Sequence, residues 1–263
     1  MHNFNYQRPG SVADAVKALG GAGDGKIIAG GMTLVPTLKQ RLAAPSDLID
    51  LGGIAELKGI KAEGDGLTIG AMTKHVEVAT SSLVKSTIPA LAHLAEMIGD
   101  RQVRNRGTIG GSLANNDPAA DYPAAVLALE ATIRTNKREI AADAYFKGLF
   151  DTALEEGEII TAVYFPKPEK AAYQKFAQPA SRFALIGVFV AKTKSGVRVA
   201  VTGGGNGVFR AKDIEAALTA NFTAQAAKAV KVNPADLNGD LHGTPEYRAA
   251  LISTLAARAV AAC

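Results

Sequence analysis

Apolar residues along this chain switch between helical and alternating spacing, and the breaks fall on glycine and proline. An extended F-N-Y-Q-R-P opens it, followed by Ser11, Asp14 three residues on, and Val12, Ala15, Val16 and Leu19 ahead of Gly20-Gly21. A cap, an amphipathic stripe and a glycine stop in that order predict a first helix. K-I-I-A at 26–29 is a short buried strand, T-L-V-P-T-L-K-Q-R-L at 33–42 a helix, and D-L-I-D-L at 47–51 a further strand. After a turn at Gly64 to Gly66, Leu67, Ile69 and Ala71 alternate as a half-buried strand does. Ile88, Leu91, Leu94, Ala95 and Ile98 return to helical spacing up to Gly99. Y-P-A-A-V-L-A-L-E from Tyr122 packs against the core, and A-T-I-R-T at 131–135 starts strands that end in E-I-I-T-A-V-Y-F-P.

Pro166, Pro168 and the charged residues around them read as an interdomain link. Beyond it, Y-Q-K-F, F-A-L-I-G-V-F-V-A and V-R-V-A-V predict a three-stranded antiparallel sheet. Two helices follow, over Ala211 to Leu218 and from the Thr244 cap and Pro245, with Tyr247, Leu251 and Leu255 as the buried stripe of the last. The pattern is α+β in two parts, split near residue 168.

Composition narrows the chemistry by exclusion. With 48% hydrophobic and 21% charged residues over 263 positions, the chain is an ordinary globular protein. Arg101, Arg104 and Arg106 cluster, but no aromatic residues interleave with them to stack on bases, so nucleic acid is not the expected partner. The one cysteine, Cys263, rules out a cysteine-ligated zinc or iron–sulfur site held by this chain alone. The four histidines are scattered without ligand spacing, and His93 is expected as a packed residue at the core edge. No charged-then-apolar leader opens the sequence, and its longest apolar run, Phe183 to Ala191, is too short to span a bilayer. A cytoplasmic protein without membrane insertion is the expectation.

Two glycine turns carry the positive signal. The first centres on Ala29, Gly30, Gly31, Met32 and Thr33, and the second on Thr108, Ile109, Gly110, Gly111 and Ser112. Without a Cβ, glycine takes positive φ and turns successive amides toward one anion. A pair of such turns, each with a threonine, predicts a diphosphate gripped from two sides. The run Gly203 to Gly207 invites a dinucleotide-fold reading, but Val208 stands where the third glycine of that fingerprint would close helix on strand. It is read as a tight strand-to-helix turn.

The second motif in full, R-N-R-G-T-I-G-G-S-L-A-N-N-D-P-A-A-D-Y-P-A, resembles the FAD-binding signature of the flavoprotein (medium) subunits of molybdenum hydroxylases, the carbon monoxide dehydrogenase and xanthine dehydrogenase family. I-I-A-G-G-M-T-L-V-P is similar to that family's first FAD loop, and weaker likeness extends to both ends of the chain. The resemblance implies an FAD-binding domain of the vanillyl-alcohol-oxidase (PCMH) type over 1–168, in subdomains of about 1–54 and 55–168. A smaller domain over 169–263, with a three-stranded antiparallel sheet and helices, closes over the flavin.

Residue roles follow from the same resemblance. Amides of Ala29 to Thr33 and of Ile109 to Ser112 wrap the pyrophosphate, with the Thr33 and Thr108 hydroxyls as further donors. Asp121 accepts from ribityl hydroxyls, the backbone at Ile160 meets the flavin edge, and Lys175 stands near the flavin N1/O2 side, where a cation tunes the potential. Met32 and Arg182-Phe183 depart from the family pattern, Phe183 being left to cover a ring face without a tyrosine's hydrogen bond. No side chain is named as catalytic. The implied role is electron transfer from [2Fe-2S] clusters on a small partner subunit to an external acceptor, beside a molybdopterin-binding large subunit, in a dimer of heterotrimers (a heterohexamer). Two other readings stand beside it. One is a self-contained flavin oxidoreductase acting on a small substrate, and the other a binding module that has lost FAD.

Overall fold

The computed structural model describes residues 1–263, as three sheets and a small hairpin connected by helices. Asn5–Gln7 (β1), Gly25–Ile28 (β2) and Asp47–Asp50 (β3) form a parallel sheet in the order β1-β3-β2. The helix Val12–Gly21 connects β1 to β2, and Ser11 caps it by accepting from the Asp14 amide at 3.1 Å. Leu34–Lys39 forms the next helix, directly after the first glycine loop.

The second sheet takes Ile60–Glu63 (β4), Gly66–Gly70 (β5), Thr132–Thr135 (β6) and Glu139–Ala141 (β7). Past a hairpin of Phe146–Gly148 (β8) and Asp151–Thr152 (β9), it is completed by Ile160–Phe165 (β10). Its order is β4-β5-β10-β6-β7, antiparallel throughout. Six helices lie in the chain between β5 and β6. Apolar faces of five of them join Leu67, Ile69, Ile133, Val163 and Phe165 in the largest core, where Tyr122 to Leu129 is buried without a gap.

Lys170–Ala177 (β11), Ala184–Thr193 (β12), Gly196–Thr202 (β13) and Phe209–Arg210 (β14) form the third sheet, in that order and antiparallel. The sequence pattern foresaw three strands. The fourth is a two-residue edge too short to leave an alternating signature. Strand β12 is buried on both faces, which explains its unbroken apolar run. Phe189 and Ala191 point into the large core, while Ile186, Val188 and Val190 point into a second core closed by the last helix, Pro245–Ala262. Burial of each of the larger of these, Phe189, Ile186, Val188 and Val190, stabilises the fold by about 1.5–3 kcal/mol.

Three further expectations need correction. Tyr247 is exposed, and the buried stripe of the last helix runs instead through Arg248, Ala249, Ile252, Leu255, Ala256 and Ala259. Pro245 and Thr244 do open that helix, and Tyr247 packs its ring edge-on against Phe176 at the surface, so the stripe begins one residue later. His93 is exposed on its helix Pro89–Glu96 rather than packed, because the apolar stripe there faces away from it. The second glycine motif is not a turn but the start of the helix Ile109–Asn115.

Candidate cofactor site

One cavity of about 680 Å³ opens between the loop after β2, the helix Ile109–Asn115 and the start of β10. Ala29, Gly30, Gly31, Met32 and Thr33 line it on one side, and Thr108, Gly110, Gly111 and Ser112 on the other. Asp121, Ile160 and Phe183 complete the group expected from the sequence. Ile109 and Lys175 are not at its wall. The Ile109 side chain is fully buried in the large core, since it lies on the inner face of its helix.

The two glycine motifs reach the cavity with different backbones. In the first, no amide from Ala29 to Thr33 donates to any acceptor within the chain, and Gly31 has φ +73°. That is a row of free donors at a bend. Gly30 is required by a close approach: a Cβ there would overlap the Arg106 carbonyl and stand 2.7 Å from Gly107 Cα. Met32 lines the cavity with its side chain exposed.

In the second motif the amides are already engaged. Ile109 donates to the Thr73 carbonyl at 3.1 Å, Gly110 to Ala71 at 2.8 Å and Ser112 to Thr108 at 3.0 Å. Gly111 donates to the Thr108 hydroxyl at 3.1 Å, a helix N-cap. The expectation that these four amides wrap a pyrophosphate therefore meets a helix whose first turn is satisfied internally. What this side offers is a wall without Cβ atoms, together with the Thr108 and Ser112 hydroxyl protons, which go to no acceptor in the chain. Gly110 serves packing: a Cβ there would sit 2.6 Å from Ala71 Cβ. Thr33, exposed and without a capping bond, keeps its hydroxyl free as well.

At the far end Asp121 is buried. Its carboxylate accepts from the Tyr173 hydroxyl at 2.6 Å and from Lys175 Nζ at 2.9 and 3.0 Å. Burial pushes its carboxyl above the ordinary range, and Lys175 and Tyr173 pull it back. Lys175, fully buried, also donates to the Met97 carbonyl at 3.1 Å. It lies behind Asp121 instead of beside the cavity.

Strand β10 enters the cavity wall at Ile160, where its pairing with β6 slips by one residue. Glu158, two positions earlier, is held by Arg138 at 3.0 and 3.1 Å, by the Thr135 hydroxyl at 2.7 Å and by the Glu155 amide at 2.8 Å. Arg138 first, against an opposing burial effect, draws its carboxyl down to about 2.

Sequence reasoning missed several lining residues: Lys26, His75, Asn115, Asp117, Phe150 and Glu158. His75 is the most informative of them. It is buried, its Nδ1 has no partner, and its ring lies 5.3 Å from that of Tyr122. Burial, then the charge of Arg104, lowers its pKa to about 4, so the imidazole is neutral at pH 7. No motif marked it, because the residues packed against it, Gly107 and Tyr122, are remote in sequence.

Residues 2–168 match the family model described as the FAD binding domain in molybdopterin dehydrogenase. The chain belongs to this family. It is 36% identical to the carbon monoxide dehydrogenase medium chain of Hydrogenophaga pseudoflava, over 98% of this chain and 96% of that one. It is 35% identical to the nicotine 6-hydroxylase medium subunit of Paenarthrobacter nicotinovorans, over the same shares. Among solved structures, the carbon monoxide dehydrogenase of H. pseudoflava that lacks the Mo-pyranopterin moiety superposes with a TM-score of 0.89 at 38% identity, covering 99% of this chain and 96% of that chain. The chain is thus a flavoprotein subunit of a multi-subunit molybdenum oxidoreductase, and its cofactor is FAD.

The residues present fit that cofactor. A dinucleotide brings two phosphate charges, a polyhydroxyl chain and two flat ring systems. The free amides of Ala29 to Thr33 suit the first, the buried Asp121 carboxylate the second, and the apolar wall of Met72, Ile98, Leu154 and Ile159 the third.

Proposed function

We propose that this chain is the electron-transfer subunit of a molybdenum hydroxylase, receiving electrons from [2Fe-2S] clusters of a partner subunit and passing them to an external acceptor. One observation carries the reading: the cavity is furnished for binding, with its carboxylates already committed. Asp121 is paired with Lys175, Glu158 with Arg138, and Asp117 accepts from the Ala119 amide at 2.9 Å. A relay needs no general base over the flavin, and of these three only Asp117, held by one backbone amide, is without a cationic partner. Bound FAD supplies the capacity to take up electrons singly and release them in pairs.

In this reading the free amides at Ala29 to Thr33 hold the pyrophosphate, with Thr33, Thr108 and Ser112 hydroxyls as further donors. Asp121 accepts from the ribityl chain and the backbone at Ile160 borders the flavin. Residues 1–54 and 55–168 enclose the cofactor, and 169–263 closes over it. Phe183, half-exposed at the cavity mouth, covers a ring face. The partners are a molybdopterin-binding large subunit and a [2Fe-2S] small subunit in a dimer of heterotrimers. A cytoplasmic location accords with a lone cysteine and with the absence of any helix long and apolar enough to cross a membrane.

The test is rapid mixing of the FAD-loaded chain with aldehyde, purine and N-heterocycle substrates, alone and then with both partner subunits. Flavin bleaching only in the complete complex is the expected result. Bleaching of the isolated chain at catalytic rates would instead show a self-contained oxidoreductase.

A further inference from the structure

The segment 117–121, which brings Asp117, Ala120 and Asp121 to the cavity, is held almost entirely by the C-terminal sheet. Thr202 Oγ1 lies 2.8 Å from the Pro118 carbonyl and 2.6 Å from that of Ala120, sharing its single proton between them. The Gly203 amide donates to the same Pro118 carbonyl at 2.8 Å. Tyr173 and Lys175 supply the donors to Asp121. Register makes these one feature: Lys175 pairs with Gly187 and Gly187 with Thr202, forming a row across β11, β12 and β13. Gly187 leaves the room for it, since a Cβ there would overlap the Tyr173 hydroxyl and stand 2.8 Å from Thr202 Cγ2.

The glycine run after β13 also belongs to this row. Gly203 has φ +81°, and a Cβ on it would stand 2.5 Å from the Ala184 carbonyl. The buried Arg248 fastens the turn, donating to the Leu185 carbonyl at 2.8 Å and the Gly203 carbonyl at 2.7 Å. The turn therefore presents its amide to Pro118 in a fixed position.

We propose that Tyr173, Lys175, Thr202 and the Gly203 turn form an interdomain clasp that positions the 117–121 segment for FAD. They are positioning residues acting from the C-terminal domain through Asp121, and the clasp rests on reading Asp121 as the ribityl acceptor. Lys175 in this arrangement serves Asp121 and not the flavin ring. FAD retention then depends on hydrogen bonds made by a domain that supplies little of the cavity wall.

The test titrates FAD into the apo full-length chain by flavin fluorescence quenching, with Asp121→Ala, Tyr173→Phe, Thr202→Val and Thr202→Ser compared. Tyr173→Phe and Thr202→Val each weaken FAD binding about tenfold, as loss of one hydrogen bond to a preorganised segment does. Thr202→Ser restores affinity to within about twofold because it keeps the hydroxyl. A role in packing alone gives the opposite order, since valine keeps the methyl group that serine lacks. That opposite order, or parental affinity in both Tyr173→Phe and Thr202→Val while Asp121→Ala binds weakly, overturns the clasp. Parental affinity in Asp121→Ala, which has no side-chain acceptor, overturns the ribityl reading on which it rests.

Discussion

The two glycine motifs look alike in sequence and differ in what their backbones have left to give. At Ala29 to Thr33 the chain leaves a strand and bends, so the amides find no partner. At Ile109 to Ser112 the chain enters a helix behind Thr108, and its amides are taken by Ala71, Thr73 and Thr108. One motif is a donor array, and the other is a close-packed wall that lets the first approach. The lesson is that paired glycines report missing Cβ atoms and nothing more. Whether the freed space admits an anion or a neighbouring strand is settled by who occupies the amides.

Variants at the two motifs separate these roles, beginning with the largest effect. Gly30→Val forces a side chain into the Arg106 carbonyl, pushes the motifs apart and lowers FAD affinity by more than about a hundredfold, read as lost flavin absorbance after gel filtration. Gly110→Ala presses on Ala71 and costs about 1–3 kcal/mol of fold stability, so the apo chain melts several degrees lower. An apo melting temperature at the parental value would contradict the packing role. Thr108→Val removes a helix cap and destabilises the apo chain by about 1 kcal/mol. Thr33→Val leaves apo stability unchanged and weakens FAD binding by less than about tenfold. If Thr33→Val and Thr108→Val behave alike in both measurements, the contrast between the motifs fails.

His75 adds a pH dependence on the packed side. Its pKa is lowered from 6.5 to about 4 in the fold, so the unfolded chain binds more protons between those values. Its contribution is complete above pH 6.5 and declines as pH falls toward 4. Urea midpoints across that window should flatten in His75→Leu relative to the parent.

Much of this was legible in the residues. The Ser11 and Thr244 caps and the continuous apolar run of β12 correspond to elements that local physics dictates, whereas β5, whose alternation reads as half-buried, is buried at all five residues because both of its faces are covered. Short elements were not legible. β4, β14 and the helix His75–Thr80 are each too brief for a period to rise above chance, and packing partners hold them in place. The cavity was legible in its glycines and Asp121, but not in His75 or Glu158, whose significance lies in contacts across long sequence separations.

By itself, then, the sequence determined where backbone comes without side chains, where caps begin helices, and which family's FAD signature the chain bears. Those are properties of a few adjacent residues. Tertiary structure alone decided that the Ala29–Thr33 amides are free while those at Ile109–Ser112 are engaged, and that Lys175 faces Asp121 from the C-terminal sheet. The physical reason is that a backbone amide has one proton to give, and a lysine ammonium three. The recipient of each is chosen by whatever the fold brings within 3 Å or so, which no local pattern records.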